Sequence, residues 1–360
     1  MNTWTKRILT VSAAAAGIGL VLMGVGMGMG GRPGVVFSKN GISSSYQKAA
    51  PYLQEKTAID TFSGINLDIR SEASIQILPS GDNKYYVEYL LDGEAAEPIC
   101  KVKDDTLTLS QAYSDANVIG VFGIALDDSD SVNPYISIYV PKDVKLKAID
   151  IYNDYGNVAI EDRSMEHAEI QADYGDVSLN NVSAGDLNCT LSDGDFSADT
   201  FKTTSLTFVS TYGSAVFQNS DLGDAELQME YGDLQCNTVK ADQLNIASMD
   251  GNIELKETAS KNADFTLEYG DLTFDAVSLE SLDCTSEYGS VSLFLPASIQ
   301  TYQVEIKLDY GALELPKDAL LDHYAEEDGE VSYHADASDK KAEHRISLQS
   351  MDGSVTIQYR

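Results

Sequence analysis

Glycine returns at Gly156, Gly175, Gly194, Gly213, Gly232, Gly251, Gly270 and Gly289, each 19 residues after the last. So regular a period restricts the chain to stacked units, each one burying the face its neighbour exposes. Around the glycines the wording is almost constant, as in "EYGDL" at Glu230 to Leu234 and again at Glu268 to Leu272. Looser returns follow at Gly311, Gly329 and Gly353, at intervals of 22, 18 and 24, where the array has drifted or accepted loops.

The apolar residues keep fixed distances from the glycine. After Gly175 come Val177, Leu179, Val182, Leu187, Cys189 and Leu191; after Gly232 come Leu234, Cys236, Val239, Leu244 and Ile246. Offsets 2 and 4, then 12, 14 and 16, have the period of two that belongs to strands. Between these groups the steps are odd, so strict alternation would turn the next apolar side chain outward unless the chain bends. One bend contains the glycine, which takes positive φ without a steric penalty.

Three short faces per 19-residue unit predict an all-β fold, a single-stranded parallel β-helix or β-solenoid. Neighbouring coils would pair at about 4.8 Å, and about eleven of them would make a rod roughly 50 Å long. A propeller needs repeats about twice as long, and a leucine-rich repeat needs a helix-forming half. Cys189, Cys236 and Cys284 fall on core offsets, and with Cys100 they show neither a CxxC pair nor metal-ligand spacing. They read as small core residues, not as disulfides or a zinc site.

The flanks divide the 360 residues further. Ile8 to Gly31 carries no charge and follows Lys6 and Arg7, which predicts a cytoplasmic tail over 1–7 and a transmembrane anchor over 8–31. A cleaved signal peptide is the rival reading. Residues 32–57 read as a tether, 58–152 as N-terminal capping coils with a loop near 126–131, and 153–295 as the regular β-helix. Residues 296–360 read as irregular C-terminal coils and a cap, with Lys317 to His344 covering the end before a last segment closes it.

With 24 basic and 57 acidic residues the formal charge is −33. Such a surface repels nucleic acid and anionic lipid and accommodates a cationic partner. Directly after the glycines stand Asn157, Asp176, Asp195, Ser214, Asp233, Asn252, Asp271 and Ser290, short side chains suited to tight turns. A sharper reading gives Asp173, Asp176, Asp193 and Asp195, on adjacent coils, to a weak Ca²⁺ site; no other cofactor is expected. Directly before the glycines tyrosine dominates, and the column reads either as a strip for sugar or peptide or as packing along a corner.

Catalysis finds little support, because an acid/base set needs focus on one face. Acids are spread through the repeats, and only His167 of the four histidines lies in the regular array. No Ser/His/Asp order or phosphate loop is present.

Tyr155-Gly156-Asn157-Val158, Tyr174-Gly175-Asp176-Val177, Tyr231-Gly232-Asp233-Leu234, Met249-Asp250-Gly251-Asn252-Ile253 and Tyr288-Gly289-Ser290-Val291 resemble the repeated turns of the bacterial "putative adhesin" family of β-helical domains. "FSGINLDIRSEASIQI" from Phe62 to Ile77 is similar to that family's start, so the resemblance covers residues 58–360. Tyrosine before the glycine departs from the family's usual small polar residue. The resemblance implies an extracytoplasmic bacterial protein tied to adhesion or to cell-envelope stress, and it carries no catalytic residues. The expectation is a non-catalytic, membrane-anchored surface-binding or scaffold module at the cell membrane, its partner an envelope protein or a surface glycan. The alternatives are an accessory protein of an envelope stress response and, last, a carbohydrate-active enzyme.

Overall fold

The computed structural model describes residues 3–29, 34–38, 41–43, 49–113, 119–123, 133–338 and 344–360. The chain forms two units. One comprises Met1–Pro51, Gly93–Ala96 and Tyr113–Asn133. It holds the helix Thr3–Gly28 and an antiparallel sheet in the order Gly41–Ser43, Gly34–Ser38, Ile119–Gly123. The apolar span Trp4–Gly26 has 23 residues and a mean hydropathy of 2.2. At about 1.5 Å per residue it is long enough to cross a hydrocarbon core of roughly 30 Å. Length and composition of this kind suit an anchor and a signal sequence alike. The loop expected near 126–131 lies outside the described residues.

The second unit, Tyr52–Asp92, Glu97–Ala112 and Pro134–Arg360, is all-β and solenoid-like. Parallel pairing joins each residue to the one 19 later, so Tyr155, Tyr174, Asp193, Tyr212, Tyr231, Asp250, Tyr269 and Tyr288 form one continuous column. The apolar offsets face inward as columns of their own. Val158, Val177, Phe196, Ala215 and Leu234 are buried one above another, as are Ile170, Cys189, Phe208, Leu227 and Ile246. Both columns mix large and small side chains, with Ala215 above Phe196 and Cys189 below Phe208, so that successive rungs fill one core.

At two corner columns the chain bends through positive φ. At Gly232 φ is +135°, and a Cβ there would stand 2.1 Å from the Gly213 carbonyl oxygen. The rungs approach too closely at this corner for any side chain, which is why the glycine repeats. The second corner has no fixed residue type: Asp162, Asn181, Thr200, Asn219, Thr238 and Glu257, also 19 apart, all take φ between 46° and 58°. Asp and Asn tolerate that left-handed conformation; β-branched threonine does so at a cost.

Both ends depart from chain order. Arg345–Asp352 pairs with Ser281–Tyr288 on one side and Gln303–Tyr310 on the other. Val355–Tyr359 likewise lies between Val291–Leu295 and Leu313–Glu314. The glycine column therefore runs Gly289, Gly353, Gly311, and Gly329 leaves it for the turn of a hairpin. The segment from Arg345 onward, expected to close the end, is an inserted rung; the end is covered by Glu330–Ala335 and Tyr324–Glu327, both paired antiparallel.

At the other end Gly64–Glu72 lies between Lys145–Tyr155 and Thr106–Gln111. Ile99–Lys103 and Tyr85–Leu91 add antiparallel strands. Part of the stretch read as a tether is also sheet, since Tyr52–Ile59 pairs with Tyr85–Leu91. Antiparallel strands at both ends end the parallel register, so further copies of the repeat have no matching edge to extend.

At one core position an arginine stands in place of an apolar residue. Arg163 occupies the inward offset that holds Val182 one rung later, and it is buried. Its Nη1 donates to the Val140 and Pro141 carbonyls at 2.9 and 3.0 Å, and its Nε donates to the Glu161 carbonyl. Burial pushes its pKa down from the usual arginine value. The guanidinium thereby ties strand Tyr135–Pro141 to the first regular rung.

Candidate functional site

The residues before the glycines form the most ordered exposed column of the second unit. In stacking order it reads Glu72, Tyr155, Tyr174, Asp193, Tyr212, Tyr231, Asp250, Tyr269, Tyr288, Asp352, Tyr310. An acid and two tyrosines alternate with a period of three rungs. Chain order shows this from Tyr155 to Tyr288 and hides the last step, because Asp352 follows Tyr310 in sequence but lies between Tyr288 and Tyr310 in the stack.

Within each pair the rings stack. Tyr155 and Tyr174 have centroids 5.1 Å apart, Tyr212 and Tyr231 5.2 Å, and Tyr269 and Tyr288 5.0 Å, with planes within 8° of parallel. All are exposed. The expected packing along the corner is present, and the exposed rings also turn a polar-tipped strip to solvent.

The acids after the glycines have another task. Asn157 Oδ1 accepts from the Asp176 backbone N–H at 2.9 Å, Asp176 Oδ1 from that of Asp195 at 3.0 Å, and Asp195 Oδ1 from that of Ser214 at 2.8 Å. Asp233, Asn252 and Asp271 continue the series. The ladder satisfies backbone donors at the glycine corner, as turn chemistry requires.

Asp173 and Asp193, the other members of the expected Ca²⁺ corner, lie beside this ladder. Asp173 accepts from the Tyr152 hydroxyl at 3.3 Å and the Ser192 hydroxyl at 3.5 Å. Among the described residues no three of Asp173, Asp176, Asp193 and Asp195 bring carboxylate oxygens within 4.8 Å of one another. One other group does meet that spacing: Asp150, His167 and Glu169. Asp150 pairs with Glu169 across adjacent rungs, and His167 lies two residues before Glu169 on the same outward face. The His167 Nδ1 faces Asp186 Oδ2, leaving Nε2 as the imidazole's remaining polar atom. One imidazole and two carboxylates can offer three ligands to a cation, one fewer than a closed tetrahedral site. The i to i+19 step that joins Asp150 to Glu169 is the only sequence signal for this trio.

Cys189, Cys236 and Cys284 are buried and free, and burial raises the Cys236 and Cys284 thiols to about 12. They are packing groups, held in the thiol form, which is the unreactive one.

The chain matches the Toastrack DUF4097 family over residues 64–242 and again over residues 192–358. No curated protein matches. Among solved structures it is similar to a "putative adhesin" from Parabacteroides distasonis, at 14% identity and a TM-score of 0.41, covering 67% of this chain and 97% of that one. A "putative adhesin" from Bacteroides fragilis is similar at 18% identity and a TM-score of 0.29, covering 87% and 100% of the two chains. A "putative lipid binding protein" from Parabacteroides distasonis is similar at 11% identity and a TM-score of 0.37, covering 86% and 96%. The two overlapping matches take in the glycine column from Gly156 to Gly353 and the opening strand at Gly64, and by them the chain belongs to the Toastrack DUF4097 family.

Proposed function

We propose that the chain is a membrane-anchored, outward-facing binding module, built as a single-stranded parallel β-helix of 19-residue coils, that works by docking and not by catalysis. The apolar segment 8–31 would hold it in its membrane with the solenoid outside. The observation that carries the reading is the exposed column of stacked tyrosine pairs and acids, repeated on a rigid ladder. Such an arrangement offers many equal contacts along one line, which suits a repetitive or extended partner. The acids after the glycines serve the turns, which supports docking over acid/base chemistry at this corner.

The test is binding of the full chain to whole bacterial cells and to a glycan array, beside a pull-down from solubilised membranes. Saturable binding to cells or glycans that is lost on replacing Tyr212 and Tyr269 by serine supports the surface-binding role. Recovery of one defined membrane protein, with no cell or glycan binding, assigns the chain to the accessory role in an envelope stress response. Turnover of an acidic polysaccharide would overturn both.

A further inference from the structure

We infer that the acid steps of the tyrosine column are notches for arginine side chains of a basic protein partner. The inference rests on the binding-module reading above and names the chemistry of the occupant. At Asp193 the rings of Tyr174 and Tyr212 each have one face covered by their own stacked neighbour and the other turned toward the acid. Rungs in this column place rings 5.0–5.2 Å apart, so two rings separated by one acid stand about 10 Å apart. A flat group midway between them lies about 5 Å from each face, inside the roughly 6 Å over which a ring holds a cation.

The acid supplies the countercharge. Among the described residues the carboxylates of Asp193, Asp250 and Asp352 take part in no hydrogen bond or ion pair, whereas the acids one position past the glycines accept backbone N–H groups. A guanidinium fits this setting better than an ammonium: it is planar, stacks on aromatic faces, is less strongly hydrated and forks onto a carboxylate. The same chain holds such a pairing already. The Arg70 guanidinium carbon lies 4.5 Å from the centre of the Tyr152 ring, while its Nε is 3.0 Å from Asp68.

The notches repeat at Asp250 and Asp352, each three rungs from the last. Three rungs span about 14 Å, and four residues of an extended strand span about 13 to 14 Å. An extended segment with arginine at every fourth residue therefore reaches successive notches in register. The formal charge of −33 would draw it in.

The test is calorimetric titration of the full chain, held in detergent micelles, with a Gly/Ser peptide carrying arginine at every fourth position, and with its lysine counterpart. The triple variant Asp193→Asn, Asp250→Asn, Asp352→Asn is compared with Asp143→Asn, Glu226→Gln, Glu280→Gln, which removes equal charge from exposed acids off the column. Expected is saturable binding of the arginine peptide, weaker binding of the lysine peptide, and about tenfold weaker binding in the notch variant against less than about twofold in the control. The double variant Tyr174→Ser, Tyr212→Ser should weaken binding with all acids in place. No binding by the unaltered chain, or equal loss in the two triple variants, overturns the notch. If the unaltered chain and the notch variant capture the same envelope partner equally, the notch fails while the binding module stands.

Discussion

Replacing Gly232 by alanine tests the corner that generates the whole repeat. The new Cβ would stand 2.1 Å from the Gly213 carbonyl oxygen, a backbone atom, and would have to retreat by more than 1 Å, to about 3.4 Å, to reach ordinary contact. Neither rung moves freely, since the Gly232 N–H donates to the Asp250 carbonyl at 3.0 Å and the Gly213 N–H to that of Tyr231 at 3.1 Å. Holding alanine at a φ of +135° adds strain of about 1 to 3 kcal/mol. Weakening one or two ladder bonds adds about 1 kcal/mol each. The expected loss is about 3 to 5 kcal/mol.

Two companions separate the causes. Gly81→Ala meets open space and should change stability by less than about 0.5 kcal/mol. Gly353→Ala meets the Gly289 carbonyl oxygen at 1.9 Å without a left-handed φ, so it isolates crowding from backbone strain. The assay is urea unfolding followed by far-ultraviolet circular dichroism, with amide hydrogen exchange over residues 213–251, because stacked repeats can lose rungs locally. A Gly232→Ala chain whose midpoint and exchange match those of Gly81→Ala would refute the reasoning.

Arg163→Ala should destabilise the first rungs by about 2 to 3 kcal/mol, since it leaves the Val140 and Pro141 carbonyls without their buried donor; exchange at Tyr135–Pro141 would report it. Thr200→Asn should raise the urea midpoint, by about 1 kcal/mol in stability, because a β-branched residue then leaves a φ of 56°. Asp318 accepts from the Tyr359 and Ser298 hydroxyls, and these bonds, Tyr359 first, hold its carboxyl below the ordinary 3.8. A depressed carboxyl stabilises above its unfolded pKa and loses that contribution as pH falls through its folded value. Asp318→Asn should therefore weaken the chain at pH 7, by a difference that shrinks as pH falls below 3.8, and a difference that stays constant through acid pH would show that the charge is not responsible. Millimolar Ca²⁺ should leave the melting temperature within about 1 °C, since Asp176 and Asp195 already serve backbone donors; a clear rise would restore the four-aspartate corner.

The glycine column was legible because close backbone approach admits one residue type, and the core offsets because alternation survives substitution among apolar residues. The place of the second corner was legible from the odd step between offsets 4 and 7, but its residue type was not, since Asp162, Asn181, Thr200 and Glu257 share a φ and little chemistry. Serine at Ser210, Ser248 and Ser286 fills buried positions on the face where Leu191 and Leu267 sit, which blurs the apolar signal. The ends were misread for another reason. A period in sequence reports stacking only while neighbours in the chain are neighbours in space, and Gly353 between Gly289 and Gly311 breaks that condition. Because of that break, the three-rung rhythm that chain order shows from Tyr155 to Tyr288 continues past Tyr288 only once Asp352 is placed beside it.

The inserted rung at Arg345–Asp352 also sets a timetable. Gln303–Tyr310 leaves the ribosome earlier, yet it cannot take its seat in the stack until the later segment has paired with Ser281–Tyr288. The regular rungs can assemble one after another as they emerge, while this last stretch must wait, its edges open, for residues still to be made. The closing step of the fold is thus a checkpoint on synthesis: a chain cut short before Arg345 would carry a missing step inside its stack.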